Sequence, residues 1–176
     1  MIIAISGLVG SGKDSVAKMV AEKLTIRHLN FTFKDAARKL GIPLMEYQEY
    51  AKKKVSIDKE FDDMVVDETK KEDCVTSTWL GPWLVKDADL KIWLDGSPDA
   101  RARRISGRDG MTLAEAMDHV RKRDAHNRAR YKRLYNVDIF EDRSVFDLII
   151  NTETFMPENS ASIIEAAIKG KFEERF

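Results

Sequence analysis

The chain has 176 residues, 43% of them hydrophobic and 34% charged, with 30 Lys+Arg against 30 Asp+Glu. This length fits one domain, and this composition supports a buried core beneath a charged surface, which excludes wholesale disorder. Zero net charge argues against a nucleic-acid or membrane-surface protein, and the single residue Cys74 excludes both an intrachain disulfide and a metal site of several thiolates.

The first half of the chain begins with an alternation of predicted strand and helix. Ile2–Ser6 is a short apolar run, typical of a strand buried on both faces. Apolar residues then recur at helical spacing from about Lys13 to Leu24, which predicts a helix directly after the strand. The next predicted elements are a weaker strand at Ile26–Leu29 and helices at Lys34–Leu40, Leu44–Lys53 and Ile57–Lys71.

The second half continues the same alternation. The predicted elements are strands at Cys74–Ser77 and Asp89–Leu94, helices at Asp99–Arg108 and from Thr112 to about Leu134, a strand at Phe146–Asn151, and a closing helix that carries Ile163, Ile164, Ala167 and Ile168. Thr112 and Glu115 match the capping box, in which hydroxyl and carboxylate each cap the other's backbone N–H. Repeated strand and helix units predict a parallel sheet covered by helices on both faces.

A glycine-rich loop joins the first strand to the first helix. Gly7-Leu8-Val9-Gly10-Ser11-Gly12-Lys13 matches the phosphate-loop pattern of a glycine, four residues and Gly-Lys. In this setting the loop amides and the helix N-terminus form a donor array for a polyphosphate, and the lysine reaches the β- and γ-phosphates. The alternative is a glycine-rich turn with an exposed lysine. The predicted ATP-binding residues are Gly7, Gly10, Ser11, Gly12, Lys13, Asp14 and Ser15.

Asp14 stands where this pattern normally has a Ser or Thr whose hydroxyl ligates Mg²⁺. A carboxylate can hold the ion directly or through its waters, and it is favourable in the first turn of a helix. Ser15 is a poor substitute, because one residue along a helix turns the side chain by ~100°. The sequence therefore predicts Asp14 as the Mg²⁺ ligand and leaves open whether the contact is direct.

Charge is unevenly distributed along the middle of the chain. Residues 46–73 hold ten acids and six bases, whereas residues 101–133 hold eleven bases and four acids. Arginines that close over a transferred phosphoryl group stabilise its charge and exclude water, so two arginine-bearing helices joined by the Gly107–Gly110 turn predict a moving lid. The alternatives are a solvated helical hairpin and a nucleic-acid surface. The latter more often interleaves aromatic residues, and this stretch has only Tyr131.

Several segments, in chain order, resemble the cytidylate kinase group of nucleoside monophosphate kinases, nearest to its short archaeal form. These segments are Asp58–Asp62, Lys86–Asp95, Arg101–Arg104, Arg123-Asp124, Arg130-Tyr131, Tyr135 and Asp147–Thr152. The resemblance implies a single P-loop domain, three-layered α/β/α, with a five-stranded, mostly parallel sheet. It divides the chain into a core (1–31, 73–100 and 144–176), a helical acceptor-binding region (32–72) and an arginine-rich lid (101–143).

The resemblance also implies the activity, which is phosphorylation of CMP or dCMP by ATP with Mg²⁺. Lys13 would act on the donor, while Arg104, Arg123 and Arg130 look like the lid arginines that clamp the transferred phosphoryl group. Asp35 and Arg38 fall where the family begins its acceptor helix, with Arg38 on the acceptor phosphate. No general base is obligatory, because the attacking phosphate oxygen is already ionised.

The chain departs from the family on the acceptor side. Ser77-Thr78-Trp79 stands where archaeal members usually carry Glu-Gly-Arg, so an arginine for the acceptor phosphate is missing. Trp79 either stacks on a base or fills the core. We include it, with Asp62 and Gly81, among the predicted acceptor residues. Asn127 replaces a carboxylate that bacterial relatives have in the lid.

Two other functions stay open: a related P-loop kinase that acts on another monophosphate or on dephospho-coenzyme A, and a nucleotide-binding regulator without turnover. The expected partner is a small-molecule nucleotide; nucleic acid is not expected, and the oligomeric state is left open. Met1–Ile5 has no basic flank, unlike a secretory signal, and no apolar run approaches the ~20 residues of a membrane span. We therefore expect a cytoplasmic protein in a reducing compartment.

Overall fold

A computed structural model describes residues 1–53 and 56–172, so residues 54 and 55 of the predicted acceptor region and residues 173–176 of the predicted core lie outside the described residues. The elements are β1 Ile2–Ser6, α1 Lys13–Leu24, β2 Arg27–Leu29, α2 Phe33–Leu40, α3 Leu44–Lys53, α4 Ser56–Thr69, β3 Cys74–Ser77, α5 Gly81–Leu84, β4 Leu90–Asp95, α6 Pro98–Asp109, α7 Leu113–Tyr135, β5 Leu148–Asn151 and α8 Pro157–Lys171. The sequence pattern misses only α5, because four residues are too few to show a helical period.

The sheet is parallel throughout, with the strand order β2-β3-β1-β4-β5. This confirms the predicted parallel sheet. Ile5 pairs with Ser77 of β3, and Ser6 pairs with Trp93 of β4, so these three strands end at the same edge. In open parallel sheets, ligands bind outside this carboxyl edge, where the strand order reverses on either side of the first strand.

Helices cover both faces of the sheet, which confirms the three-layer arrangement. On one face, α1 and α8 pack against the strands through a buried cluster that includes Val16, Val20, Ile164 and Ile168. On the other face, Trp93 of β4 packs with Leu80, Tyr131 and Ile139. Burying apolar surface in this way is the main favourable contribution to folding. No helix in the described part of the chain is long and apolar enough to cross a membrane.

The helices α6 and α7 form an arginine-rich hairpin, and its predicted capping box is confirmed. The Thr112 side chain accepts from the Glu115 backbone N–H, and the Glu115 carboxylate accepts from the Thr112 backbone. Ala102, Ile105, Ala116 and Val120 form the buried contact between the two helices. The hairpin therefore has its own small core beside the sheet.

The helices α2, α3 and α4, which follow the edge strand β2, form a second small cluster. Ala36, Ala37, Tyr47 and Ile57 are its buried members. Phe33 packs edge-on against Phe61, with ring centroids 4.9 Å apart. The predicted boundaries of the core, acceptor region and lid stay predictions.

Candidate active site

The glycine-rich loop after β1 adopts a backbone that requires its glycines. Gly10 and Gly12 have φ angles of 78° and 87°, in the left-handed region that glycine adopts without strain. At Gly7, a Cβ atom would lie 2.7 Å from the Leu94 carbonyl oxygen. A Cβ added at Gly12 would meet no atom of the described residues within 4 Å, so the loop backbone is open to an incoming group at the start of α1.

Two cavities meet at this loop. The first, which we call the α8 cavity, has a volume of about 300 Å³. Its lining includes Gly10, Ser11, Gly12, Ser15, Arg104, Thr152 and Phe155. The second, which we call the aromatic cavity, has a volume of about 280 Å³. Its lining includes Lys13, Asp14, Phe31, Phe33, Phe61, Asp62, Ser77, Trp79, Arg123, Asn127, Arg130 and Tyr131. Adjacent residues of the loop, Gly12 and Lys13, therefore face different cavities.

The aromatic cavity brings together six residues predicted from the sequence: Lys13, Asp14, Asp62, Trp79, Arg123 and Arg130. The Lys13 Nζ atom lies 5.6 Å from the centre of the Trp79 ring and 3.4 Å from Asp14 Oδ2. An ammonium over an aromatic face is a favourable contact that leaves the cation available to a stronger partner. A planar aromatic ring and an ammonium group thus lie side by side in the cavity.

Helix α7 contributes a row of donors to the aromatic cavity. Arg123 is exposed, and it makes no hydrogen bond or ion pair with any residue whose side chain the structure describes. Asn127 is 2% exposed, and its Nδ2 atom has no partner among these residues either. The Arg130 guanidinium lies 2.5 Å from Asp58 Oδ1, while its buried Nε atom has no partner in the described part of the chain. Buried donors are normally paired, so the Asn127 Nδ2 and Arg130 Nε atoms indicate a ligand rich in acceptor oxygens.

Asp62 supplies the cavity with a carboxylate of altered acidity. Burial raises the pKa of Asp62 to about 6, although a hydrogen bond from the Tyr135 hydroxyl (2.6 Å) and the charge of Arg130 both oppose this rise. The group is therefore largely ionised at neutral pH and takes up a proton under mildly acidic conditions. In its ionised form it accepts hydrogen bonds only, so it selects donor groups on a ligand.

Arg104 lies on the other side of the loop, in the α8 cavity, apart from Arg123 and Arg130. Its guanidinium donates to the Gly10 carbonyl (3.2 Å), the Thr152 hydroxyl (3.0 Å) and the Thr152 carbonyl (2.5 Å). These bonds hold the planar group in one orientation. Its predicted role in clamping the transferred phosphoryl group stays a prediction.

Besides Gly7, three predicted residues line neither cavity. Asp35 caps α2 by accepting from the Thr32 N–H and hydroxyl, and these bonds lower the pKa of its carboxyl. Arg38 pairs with Asp35 at 3.4 Å, and 71% of its side chain is exposed. Gly81 begins α5, where a Cβ atom would lie 2.8 Å from Thr78 Oγ1. The structure gives Asp35 and Gly81 local roles in the fold, and it does not bring Arg38 to the loop.

The sequence reading missed the phenylalanines of the aromatic cavity, Phe31, Phe33 and Phe61. Each reads locally as a core residue, and only the packing of α2 and α4 brings the three together. A signal for Asn127 was present, because positions 123, 127 and 130 recur at the spacing of one helix face. That spacing would have placed the amide beside the two arginines.

The donors around Asp14 suit a Mg²⁺ ion shared with phosphate. Asp14 Oδ1 accepts a hydrogen bond of 2.8 Å from the Ser77 hydroxyl, and 62% of the Asp14 side chain is exposed. Among the described residues, no group of three or more His, Cys, Asp or Glu side chains could hold a metal. Mg²⁺ bound with a nucleotide needs only one or two protein oxygens, because phosphates and waters complete its shell. The residues therefore fit the ion.

The glycine-rich loop lies at the carboxyl edge of a five-stranded parallel sheet, with Arg123 and Arg130 of α7 beside it. This arrangement defines the class of protein, which is a P-loop nucleoside monophosphate kinase. The model of the cytidylate kinase-like family matches residues 2–154. The chain belongs to this family.

Curated relatives match along most of the chain. It is 39% identical to the cytidylate kinase of Pyrococcus horikoshii over 170 residues, which cover 96% of this chain and 88% of that protein. It is 37% identical to the cytidylate kinase of Methanocaldococcus jannaschii over 174 residues, which cover 96% and 97%. The cytidylate kinase of Pyrobaculum islandicum is 43% identical over 155 residues, covering 86% and 84%.

Solved structures of more distant proteins share the fold. Shikimate kinase from Acinetobacter baumannii in complex with shikimate matches with a TM-score of 0.60 and 18% identity, over 96% of this chain and 93% of that chain. Deoxyadenosine kinase from M. mycoides, with the products dCMP and dCDP bound, matches with a TM-score of 0.55 and 15% identity, over 97% and 100%. At these identities the matches concern the fold alone.

Proposed function

We propose that the protein transfers the γ-phosphoryl group of ATP to CMP or dCMP, giving ADP and the corresponding diphosphate. One observation carries the proposal: the phosphate loop lies at the junction of two cavities, with Gly12 facing one and Lys13 facing the other. A donor nucleotide in the α8 cavity and an acceptor nucleotide in the aromatic cavity would meet at Lys13. The curated relatives that bear the name cytidylate kinase support CMP as the acceptor.

The α8 cavity would hold the donor. The open backbone at Gly12 and the N-terminus of α1 would receive the triphosphate, and the Lys13 ammonium would neutralise its terminal charge. The Arg104 guanidinium, fixed by its three hydrogen bonds, offers a flat cationic surface to the purine. Mg²⁺ bound with the donor would supply further neutralisation of the phosphates, and Asp14 would hold the ion.

The aromatic cavity would hold the acceptor. Trp79 and the phenylalanines offer flat apolar faces to a base. The ionised Asp62 carboxylate would accept a hydrogen bond from the amino group of cytosine. Uracil has a carbonyl at the same position, and this carbonyl oxygen would lie against the carboxylate oxygen with no proton between them. Arg123 and the unpaired donors of Asn127 and Arg130 would receive oxygens of the sugar and phosphate.

The transfer itself needs alignment and charge stabilisation. An oxygen of the acceptor phosphate forms a bond to the γ-phosphorus, and the bond to the β–γ bridging oxygen breaks, with its electron pair leaving on ADP. Lys13 and Arg123 both line the aromatic cavity, and they would stabilise the charge on the transferred group. Because the attacking oxygen is already ionised, the chain needs no base to deprotonate it.

A coupled assay of ADP release tests the proposal with CMP, dCMP, UMP, AMP and dephospho-coenzyme A as acceptors. We expect turnover with CMP or dCMP to exceed that with every other acceptor. The Lys13→Ala variant serves as the background control. Turnover with only dephospho-coenzyme A or another monophosphate would establish the related kinase, and ATP binding with no turnover on any acceptor would establish a nucleotide-binding regulator.

A further inference from the structure

The residue after the loop lysine raises a question about how this chain holds Mg²⁺. In P-loop enzymes the ion is held by a Ser or Thr hydroxyl that follows the lysine and by a carboxylate from a second segment, the Walker-B acid. Here the residue after Lys13 is Asp14, so the loop itself supplies the carboxylate. A chain that keeps both ligand types must then bring its hydroxyl from a second segment.

Ser77 meets this requirement. It is the last residue of β3, which lies beside β1 in the sheet, and it pairs there with Ile5. Its hydroxyl donates to Asp14 Oδ1 at 2.8 Å, and both side chains line the aromatic cavity next to Lys13. Because Ser77 is buried and its backbone belongs to a strand, the position of its hydroxyl is fixed by the sheet rather than by a loop.

We propose that Asp14 and Ser77 together form the Mg²⁺-binding pair, with the two ligand types exchanged between the loop and the second segment. The carboxylate stands on the loop helix and the hydroxyl at the end of β3. This proposal rests on one part of the proposed function, namely that the loop binds a nucleoside triphosphate together with Mg²⁺.

The hydrogen bonds of Ser77 leave room for a cation. A hydroxyl has one proton and two lone pairs, and the proton of Ser77 is used on Asp14. The Nε2 atom of His28 lies 3.4 Å from the Ser77 oxygen, so with that proton committed the imidazole can act only as a donor to it. One lone pair then faces His28, and the other remains for the ion.

Other oxygens near the loop fit less well. Ser15 follows Asp14 directly but lines the α8 cavity, and the Asp14 carboxylate accepts no hydrogen bond from it within the described chain. Asp95 ends β4, on the other side of β1, where its Oδ1 accepts from Trp93 Nε1 at 3.1 Å, and it lines neither cavity. Ser77 is therefore the hydroxyl, and Asp14 the carboxylate, that the fold brings into contact.

The test measures how much Mn²⁺, as a spectroscopic substitute for Mg²⁺, tightens the binding of a non-hydrolysable ATP analogue relative to binding in EDTA. We expect Asp14→Ser and Ser77→Ala each to reduce this enhancement by about 10-fold or more, the range seen when partners of a metal site are removed. The exchanged variant Asp14→Ser/Ser77→Asp restores the usual arrangement, and its enhancement should be within about 3-fold of the native value. Asp95→Asn should leave the enhancement unchanged.

An unchanged enhancement in Ser77→Ala would overturn the proposal, as would a double variant no better than Asp14→Ser, or a loss in Asp95→Asn. Circular dichroism checks folding; if the double variant does not fold, Ser77→Ala decides alone, because removing one hydroxyl preserves the shape of the side chain. The measurement uses no acceptor. An inactive enzyme with intact Mn²⁺ coupling would therefore refute the proposed function, and an active enzyme without that coupling would refute the exchanged pair.

Discussion

The buried ion pair between α6 and α7 gives a prediction whose size follows from the structure. Arg101 is 2% exposed, and it donates to both oxygens of Asp124 at 3.1 Å and 2.7 Å. Its guanidinium also donates to the carbonyls of Gly96 (3.0 Å) and Val9 (3.2 Å), so one side chain joins the hairpin to the phosphate loop. Replacing Asp124 with Ala leaves this buried cation without its counter-charge.

Removing one member of a buried ion pair costs about 3–5 kcal/mol. For a chain of this length each kcal/mol lowers the melting temperature by about 2–4 °C, so Asp124→Ala should melt roughly 6–20 °C below the native protein. Differential scanning calorimetry measures the shift. Arg101→Met/Asp124→Leu should recover part of the loss, because it removes both charges. A shift of under about 2 °C for Asp124→Ala would refute the reasoning, since it would mean that water already solvates the guanidinium.

Three further predictions concern the two cavities. Lys13→Ala should lower kcat/KM at least about 100-fold in the coupled assay, because electrostatic contributions of this kind are worth several kcal/mol. Lys18→Ala, at an exposed position of the same helix, is its control. A Lys13→Ala variant as active as the native protein would contradict the loop chemistry. Arg123→Ala should lower kcat far more than it raises KM for ATP, since the predicted lid acts as charge develops in the transition state. Arg121→Ala, at a position of α7 that does not line the aromatic cavity, should change neither constant. A rise in KM alone for Arg123→Ala would indicate that Arg123 only binds ATP. Because burial raises the folded-state pKa of Asp62 to about 6, from 3.8, ionising the group destabilises the fold progressively as the pH rises from about 4 to about 6, and the destabilisation is constant above that. Asp62→Asn should therefore raise the free energy of unfolding by about 2–3 kcal/mol at pH 7.5 and by almost nothing at pH 4, at 1.4 kcal/mol per pKa unit; a pH-independent difference in urea unfolding would show that the carboxyl is solvated.

The sheet was predictable because its strands are short apolar runs, and the loop because its pattern sits between a strand and a helix. Ile2–Ser6 and Cys74–Ser77 are observed with the predicted bounds. The parallel pairing followed from the alternation of elements. Helix α5 was not predictable, since Gly81–Leu84 is shorter than the pattern needs.

The candidate site was predictable to the extent that it depends on local sequence. Arg123 and Arg130 share a helix face, and the structure places both in the aromatic cavity. The sequence could not show that Arg104, on a neighbouring helix, lies on the opposite side of the loop, because its hydrogen bonds to Gly10 and to Thr152 decide this. Nor could it show that Ser77 meets Asp14, since that contact depends on strand order.

The central claim is that the phosphate loop joins a donor cavity to an acceptor cavity. A crystal structure with a bisubstrate analogue, in which a polyphosphate links adenosine to cytidine, tests it most directly. We predict the adenine in the α8 cavity, the cytosine between Trp79 and Asp62, and the polyphosphate on the loop amides beside Lys13. A polyphosphate that bypasses the loop, or a cytidine bound outside the aromatic cavity, would contradict the claim.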